Sequence, residues 1–364
     1  MQIQTQCAPQ GRRFFSAVAA WLLVPDRVRV GLGLIAGAVL FVGLSMPWPA
    51  RAVALGAKPV DWVADRDADE VVGLDVDHFV LARLTVRSPV RLATAPGGVW
   101  VAASVEGNPI GRHALKRVGD DGRLRDVPGG SDLGPVLDLE VAPSGRALVV
   151  EMGLAGKPSR VLMAGGGGAP ASAGPVAGVG TFELVQHAGA LAVMGELAAG
   201  GGAVQERVLI GDEAGRVGRY DLAGNKLAEV VLGGQIGDLA AGPDGKVLAL
   251  DITGAGRILC LNAGLELVWS VPAGLICESL SVVLGEERVW LVDSTEPLAR
   301  RFGPTGVLEV EVLLPSSDAS GIQALSGGGA LITVPGAVLH VDSSGALLPG
   351  QGGFDYLTDI TPAG

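Results

Sequence analysis

Residues 236–270 carry the pattern that decides the fold. Ile236-Gly-Asp-Leu-Ala-Ala is a short apolar run, Gly-Pro-Asp-Gly is a turn, and Lys246-Val-Leu-Ala-Leu-Asp251 is a second apolar run that ends in an acid. Two further runs follow, Arg257-Ile-Leu-Cys-Leu-Asn262 and Leu265-Glu-Leu-Val-Trp-Ser270. Runs this short, separated by Gly, Pro and Asp turns, predict β-strands rather than amphipathic helices. We therefore predict a unit of four strands.

The same unit recurs along the chain. Further copies are predicted to have first strands that begin near Val90, Val136, Phe182, Leu280 and Ile322. In the copy between residues 170 and 235, Phe182-Glu-Leu-Val is interpreted as the first strand and Leu191-Ala-Val-Met as part of an insertion at 188–206. A four-strand repeat of about 45 residues is typical of the blades of a β-propeller.

The two ends of the chain supply one more copy. Tyr356–Thr361 is a first strand whose turn has no strand after it, and its missing partners are predicted at Val60–Asp65, Glu70–Asp75 and Phe79–Leu84. A repeat shared between the termini joins the first unit to the last and leaves no unpaired sheet edge. We predict an all-β fold, a seven-bladed β-propeller closed by one C-terminal strand that joins three N-terminal strands. The 312 residues after Ala52 also allow six or eight blades.

These motifs resemble NHL-type repeats and the related gluconolactonase-like propellers. The resemblance is carried by Pro243-Asp-Gly-Lys-Val-Leu-Ala-Leu-Asp251 with Arg257-Ile258, and by Trp62-Val-Ala-Asp65 with Val71-Val72. It covers nearly all of residues 58–364 and implies architecture more than function, because this fold hosts enzymes, scaffolds and sensors.

Gluconolactonase-like enzymes hold a divalent metal at the centre of one face with carboxylate and asparagine side chains. Here Asn225 and Asn262 are predicted in turns at the face opposite to the strand-end acids. That metal site therefore does not carry over residue by residue, and we predict no metal ligands, cofactor-binding residues or catalytic residues.

An apolar segment near the N-terminus predicts the compartment. Residues 30–50 contain 21 residues without a charge, which is long enough to cross a bilayer as a helix, and arginines precede them. Ala50-Arg51-Ala52 also has the small-x-small form of a signal-peptide cleavage site. The predicted segments are 1–29, cytoplasmic, 30–52, a transmembrane anchor or signal peptide, and 53–364, an extracytoplasmic propeller that is periplasmic or at the cell surface.

The composition limits the classes of partner that the protein is expected to bind. The net charge is −11 and the folded part has no Lys/Arg cluster, so nucleic acid is excluded as the main partner. No Cys/His spacing supports zinc or haem. Cys260 and Cys277 lie in apolar runs, either as buried thiols or as a disulfide if the domain is exported.

An acid ends the second strand of most copies. These acids are predicted to form a rim at one face of the disc, the loop face, where the loops between second and third strands emerge: Asp65, Glu151, Asp212, Asp251 and Asp293. They could bind a cation or a basic partner. The alternative is that each carboxylate accepts backbone N–H groups in its own turn, and recurrence in most blades favours this alternative.

Other chemistry-bearing residues form no visible constellation. The four histidines, His78, His113, His187 and His340, fall at different points of the repeat. Three tryptophans occupy nearly the same place in second strands and are predicted to pack between blades: Trp62, Trp100 and Trp290.

We therefore predict a scaffold rather than an enzyme. It would bind a protein or cell-envelope ligand through the loop face, with the loop at Val105–His113 and the segment 188–206 as docking places. A metal-dependent propeller hydrolase or lactonase is the alternative. A sensor that reports across the membrane is a third interpretation, which needs a partner because only residues 1–29 would remain inside the cell.

Overall fold

The computed structural model describes residues 58–105, 107, 111–119, 121–153, 158–165, 180–184, 188–197, 204–242, 245–274, 277–283, 288–293 and 295–362. The predictions for the segments 1–29 and 30–52, including the apolar helix, lie outside these ranges. Within them, no helix has the length and apolar character needed to cross a membrane.

The described residues form strands throughout. The strands of the first three sheets along the chain are β1 (Asp61–Asp65), β2 (Glu70–Leu74), β3 (Val80–Thr85), β4 (Pro89–Ala95), β5 (Gly98–Ser104), β6 (His113–Gly119), β7 (Leu124–Asp126), β8 (Val136–Val141), β9 (Ala147–Glu151), β10 (Arg160–Ala164) and β11 (Gly180–Glu183). Those of the next two are β12 (Ala188–Leu197), β13 (Val204–Asp212), β14 (Arg216–Tyr220), β15 (Lys226–Val231), β16 (Ile236–Ala241), β17 (Val247–Asp251), β18 (Arg257–Leu261) and β19 (Leu267–Pro272). The remaining strands are β20 (Cys277–Val283), β21 (Arg288–Asp293), β22 (Leu298–Phe302), β23 (Leu308–Leu313), β24 (Gly321–Ala324), β25 (Ala330–Val334), β26 (Ala337–Val341), β27 (Leu347–Gly352) and β28 (Leu357–Pro362).

The strands form seven antiparallel four-stranded sheets, which we call blades 1 to 7. Blade 1 has the order β28-β1-β2-β3, and blades 2 to 7 each take four consecutive strands, from β4–β7 to β24–β27. The first strands of neighbouring blades pack against one another in a ring, from β28 through β4, β8, β12, β16 and β20 to β24 and back to β28. The predicted all-β fold and the count of seven blades are confirmed.

Strand β28 connects the two ends of the chain. It pairs antiparallel with β1, with Val63 opposite Ile360 and Ala64 opposite Asp359, and a bulge follows at Asp65. The side chains of Asp65 and of the β28 residue Ile360 are both buried. Blade 1 therefore consists of one strand from the C-terminal end and three from the N-terminal end of the described chain.

The core lies between the blades because both faces of each second strand are covered. The strands β1, β9 and β17 are buried at every position. Trp100 packs between blades 2 and 3 and Trp290 between blades 6 and 7, and both are fully buried. Trp62 packs between blades 1 and 2. The prediction that these tryptophans form core between blades is confirmed.

The strand assignment around residues 180–206 is wrong. Gly180–Glu183 is β11, the fourth strand of blade 3, and Ala188–Leu197 is β12, the first strand of blade 4. The described part of the segment 188–206 is thus no insertion but belongs to the first two strands of a blade, and β12 ends at the face opposite to the loop face. The sequence pattern led to the wrong assignment because β12 and β13 pair over nine residue pairs. This hairpin is therefore longer than the first hairpins of the other blades.

Candidate functional site

The first strands enclose a central channel. It has a volume of about 650 Å³ and is lined by residues from six blades and by Arg66. Because strands alternate in direction, the start of every first strand lies at the loop face, where the second strands end. Tyr356 and Ser320, which precede β28 and β24, therefore mark the loop-face end of the channel.

Three aspartates occupy the same place in the channel wall. In blades 1, 3 and 5 the first strand carries Asp359, Asp138 and Asp238, each next to a bulge in its pairing with the second strand. The corresponding residue of blade 2 is Arg91. Glu140 lies two residues after Asp138 and also lines the channel. The channel wall therefore carries four carboxylates and one guanidinium at or near one level.

Each of these aspartates accepts hydrogen bonds from the backbone. In every case the next residue of the same strand donates: Leu139 N to Asp138 Oδ1 at 2.8 Å, Leu239 N to Asp238 Oδ1 at 2.8 Å, and Ile360 N to Asp359 Oδ1 at 2.9 Å. Two of them also bind the neighbouring blade.

These bonds to the neighbouring blade join first strands around the channel. Leu92 N in blade 2 donates to Asp359 Oδ2 at 2.7 Å, and Leu191 N in blade 4 donates to Asp138 Oδ2 at 2.8 Å. Arg91 Nε donates to the carbonyl oxygen of Leu137 in blade 3 at 3.2 Å. The channel side chains thus connect blades 1 to 4 at the centre of the disc.

Three of the four channel carboxylates have raised pKa values. Burial raises the pKa of Asp359 to about 6, against the lowering effect of Arg91. The pKa of Asp138 is raised for the same reason. Burial, and then repulsion from Asp138, Asp238 and Asp359, raises the pKa of Glu140 well above its ordinary value. Each of these side chains is partly exposed and lines the channel, where narrow access for water cannot replace bulk solvation.

Arg66 and Tyr356 form the wall at the loop face. The Arg66 guanidinium lies over the Tyr356 ring at 4.3 Å from the centroid and also pairs with the carboxylate of Asp67 at 3.0 Å. This contact holds an aromatic ring and a cation where the channel opens. A ligand that enters from the loop face would meet these two side chains before the carboxylates.

The predicted rim residues lie where expected, at the ends of β1, β9, β13, β17 and β21, and each is bonded locally. Asp65 accepts from the backbone N–H groups of Asp355 and Tyr356, at 2.8 and 2.9 Å. Asp251 accepts from the N–H groups of Gln235 and Thr253 and from the guanidinium of Arg257, at 3.1, 2.9 and 2.7 Å.

The other three rim carboxylates follow the same rule. Glu151 binds Arg160 at 2.7 Å, Asp212 binds Arg216 at 2.8 Å, and Asp293 accepts from the N–H groups of Thr295 and Glu296 at 2.6 and 2.8 Å. Such contacts agree with the alternative interpretation given above, in which each carboxylate has a local structural role. Within the described ranges, no three His, Cys, Asp or Glu side chains are grouped so as to hold a metal ion. A binding role for the rim stays a prediction.

The histidines and cysteines are placed as follows. His113 is fully buried and its Nδ1 accepts from Val136 N at 2.9 Å, which joins blades 2 and 3. His78 and His340 come together between blades 1 and 7, with ring centroids 4.8 Å apart. Cys260 is buried, whereas the side chain of Cys277 lies outside the described residues, so a disulfide stays a prediction.

Sequence reasoning missed the channel residues, although a signal exists. Three first strands read Leu-Asp138-Leu, Gly-Asp238-Leu and Thr-Asp359-Ile, so an aspartate stands before an apolar residue at the same point of three copies. A charged residue inside a predicted apolar strand is unexpected in a closed core. Its recurrence in the innermost strand indicates a polar channel.

Comparison with known proteins supports the fold. No protein family and no curated protein sequence matches the chain. Among solved structures, a functionally unknown protein from Desulfotomaculum acetoxidans DSM 771 is similar with a TM-score of 0.63 at 14% identity, over 84% of this chain and 99% of that one.

Two further similar structures are enzymes of different chemistry. Catalytically inactive virginiamycin B lyase from Staphylococcus aureus with quinupristin has a TM-score of 0.56 at 14% identity, over 77% of this chain and 92% of the lyase. Dihydro-heme d1 dehydrogenase NirN in complex with DHE has a TM-score of 0.56 at 15% identity, over 87% and 78%. At these identities the likeness shows the β-propeller fold alone.

Proposed function

We propose that this protein is an exported or membrane-anchored propeller scaffold that binds a protein or cell-envelope ligand at its loop face, with a basic group of the ligand entering the central channel. The main observation behind this proposal is the central channel of about 650 Å³. Its wall presents four carboxylates, those of Asp138, Glu140, Asp238 and Asp359. The joining of β28 to the three N-terminal strands closes this scaffold.

Charge supports a cationic ligand group. Four carboxylates face the channel, while Arg91 and Arg66 are the two basic residues that line its described wall. Inside a narrow cavity, charge–charge interactions are screened less than at the surface. An ammonium or guanidinium group would relieve the mutual repulsion that raises the pKa of Glu140. An acidic group would add to that repulsion.

Two interpretations from the sequence remain part of this proposal. The extracytoplasmic location rests on the apolar residues 30–50 and the arginines before them. The relationship to NHL-type and gluconolactonase-like propellers rests on the turn and strand motifs near Pro243. Strand β5 ends and β6 begins at the loop face, so the loop at Val105–His113 is kept in the proposal as a docking segment, whereas the segment 188–206 is not.

The test uses the full-length protein and basic, neutral and acidic peptides of equal length. We expect the basic peptide alone to bind, and we expect Glu140→Gln to weaken that binding by roughly 10- to 100-fold, because one charge-assisted interaction contributes about 1.5–3 kcal/mol. Glu213→Gln is the matched control, since Glu213 is an exposed acid in a turn at the same face. Equal binding of the basic and acidic peptides would contradict the proposal.

A metal-dependent hydrolase or lactonase is the second candidate. It would use the same carboxylates, because oxygen ligands suit hard divalent cations, although within the described ranges they are not grouped so as to hold an ion. Metal analysis of the purified protein separates the two functions. A stoichiometric divalent ion that is lost in an Asp138→Asn/Asp238→Asn double variant would replace the scaffold proposal, whereas binding of the basic peptide by metal-free protein would support it.

A further inference from the structure

A cluster of titratable side chains lies at the junction between the first and last blades. We call this the seam cluster: Asp61 at the start of β1, His78 in the turn between β2 and β3, and His340 in β26. His78 Nδ1 lies 3.1 Å from Asp61 Oδ2, and Asp61 is only 3% exposed. The rings of His78 and His340 meet edge to face across the boundary between blades 1 and 7.

The backbone at His78 adopts a conformation that favours glycine. His78 has a φ of 62°. The matching turns of four other blades carry glycine at this position, with φ between 68° and 90°: Gly122, Gly224, Gly306 and Gly345. In each turn, as in blade 1, the N–H of this residue donates to the carbonyl three residues earlier. Blade 5 carries Leu265 at this position with a φ of 64°, so this turn accepts a side chain at some cost in strain, and the role of His78 is argued from its contacts.

The hydrogen bond to Asp61 fixes the orientation of the His78 ring. An ionised carboxylate can only accept, so Nδ1 of His78 carries a proton in this bond. The bond holds the His78 ring in place beside His340. A proton on His340 would place a positive charge at this edge-to-face contact, in a partly buried site.

The surroundings of His340 oppose its protonation. Burial and the neighbouring His78 lower the pKa of His340, while Asp342 and Asp61 act in the opposite direction. On the His78 side, Asp75 and Asp77 belong to the same exposed turn. Behind the cluster the seam consists of apolar packing, with Val72 and Leu74 of blade 1 against Leu331 and Val338 of blade 7.

We propose that the contact between His78 and His340 is a pH-sensitive latch between blades 1 and 7, which is tight at neutral pH and loosens when His340 takes up a proton. This boundary packs the three N-terminal strands of blade 1 against blade 7, while the chain itself passes from blade 7 into β28 of blade 1. A weakened latch there would loosen the packing of β1–β3 on blade 7, independently of what the channel binds.

The direction in which pH changes the stability follows from the difference in proton binding between the folded and unfolded states. Because the pKa of His340 is lower in the folded protein than the ordinary value of about 6.5, the unfolded chain binds more protons below that value. Stability from the latch is complete above pH of about 6.5, falls as the pH drops toward the folded pKa, and is constant below it. The raised pKa values of the channel carboxylates act in the opposite direction. The test must therefore compare variants at each pH.

The first test is thermal unfolding of the full-length protein and of His340→Gln from pH 7.5 to pH 5. We expect the Tm of the wild type to fall by about 2–4 °C more than the Tm of the variant over this range, the shift typical of one lost interaction in a large domain. Glu213→Gln is the control, because Glu213 is exposed in a turn of blade 4, outside the seam, and its replacement should keep the wild-type pH dependence. Parallel curves for wild type and His340→Gln overturn the latch.

A second test does not depend on the stability of a His340 variant. We follow the imidazole of His340 by NMR in the wild type and in His78→Gly, a substitution that also relaxes the left-handed backbone. The titration midpoint of His340 should lie below its ordinary value and move up when His78 is removed. An unchanged midpoint overturns the latch, because the two imidazoles would then not be coupled.

Discussion

The rim carboxylates and the channel carboxylates differ in what surrounds them. At the rim, Asp251 and its equivalents bond to backbone N–H groups or to an arginine of their own blades. In the channel, Asp138 and Asp359 bond to the next blade and lie close enough to other carboxylates to raise the pKa of Glu140. A carboxylate with local donors stabilises a blade, whereas one facing other carboxylates stores repulsion that a cation can relieve.

The largest predicted effect comes from removing the strand that belongs to both regions. Residues 354–364 include the backbone donors to Asp65 and the channel residue Asp359. Deleting Phe354–Gly364 should remove most of the folding free energy, which for a domain is about 5–15 kcal/mol, because β1 loses its neighbour and the ring opens.

Thermal and urea unfolding measure this effect. Deleting the last two residues alone is the control and should leave the transition in place, because β28 ends at Pro362. An unchanged Tm for the longer deletion would show that the pairing of β28 with β1 does not support the ring.

The next largest predicted effect is the loss of stability on replacing a rim carboxylate, which distinguishes the rim carboxylates from the channel carboxylates. Asp251→Ala leaves two backbone N–H groups and Arg257 without their acceptor in a site that is 1% exposed, so we expect a loss of about 2–3 kcal/mol in urea unfolding at pH 7.

The pH dependence of that loss follows from the pKa of Asp251. Burial raises this pKa, but the N–H of Thr253 and the guanidinium of Arg257 outweigh it and hold the pKa below its ordinary value. The stabilisation is therefore present above the ordinary pKa and should disappear as the pH falls through the folded value. Asp221→Ala is the matched control, since Asp221 accepts similar backbone bonds in a surface turn. Equal losses in both variants would refute the distinction.

A channel variant should change stability in the opposite direction. Because the pKa of Glu140 is raised in the folded protein, its charged form opposes folding at neutral pH. Glu140→Gln should therefore stabilise the protein by about 1 kcal/mol at pH 7 and lose this advantage below pH of about 4, where the unfolded chain is protonated as well. Urea unfolding at both pH values measures the effect. Destabilisation at pH 7 would mean that the channel carboxylate has a partner like those at the rim.

The smallest effect concerns Arg91. Its guanidinium lowers the pKa of both Asp359 and Asp138. Arg91→Gln should raise the titration midpoint of Asp359 above about 6 while the fold is retained. Carboxyl NMR of the wild type and the variant provides the measurement, with Arg219→Gln, on the outer part of blade 4, as control. A midpoint that does not move would show that Arg91 is too well solvated in the channel to act on its neighbours.

The strand pattern and the rim were accessible from sequence because they depend on local rules. The alternation of short apolar runs with Gly, Pro and Asp turns predicted the blades, and an acid after the second strand predicted the position of the rim. The boundary between blades 3 and 4 was predicted wrongly. Strand β11 is only four residues long and β12 is ten, so strand length could not show which of the two begins a blade.

By itself, the sequence determined that the chain repeats, how many strands each copy has and that its ends share one copy, because turn chemistry and hydrophobic runs act between residues close in the chain. Only the tertiary structure decided which side chains meet. Asp359, Arg91 and Asp138 come from different blades, and so do His78 and His340. Their proximity depends on the curvature of the ring, which brings every first strand to one axis and the last blade against the first. Periodicity contains no information about that distance, so the channel and the seam cluster became visible only in three dimensions.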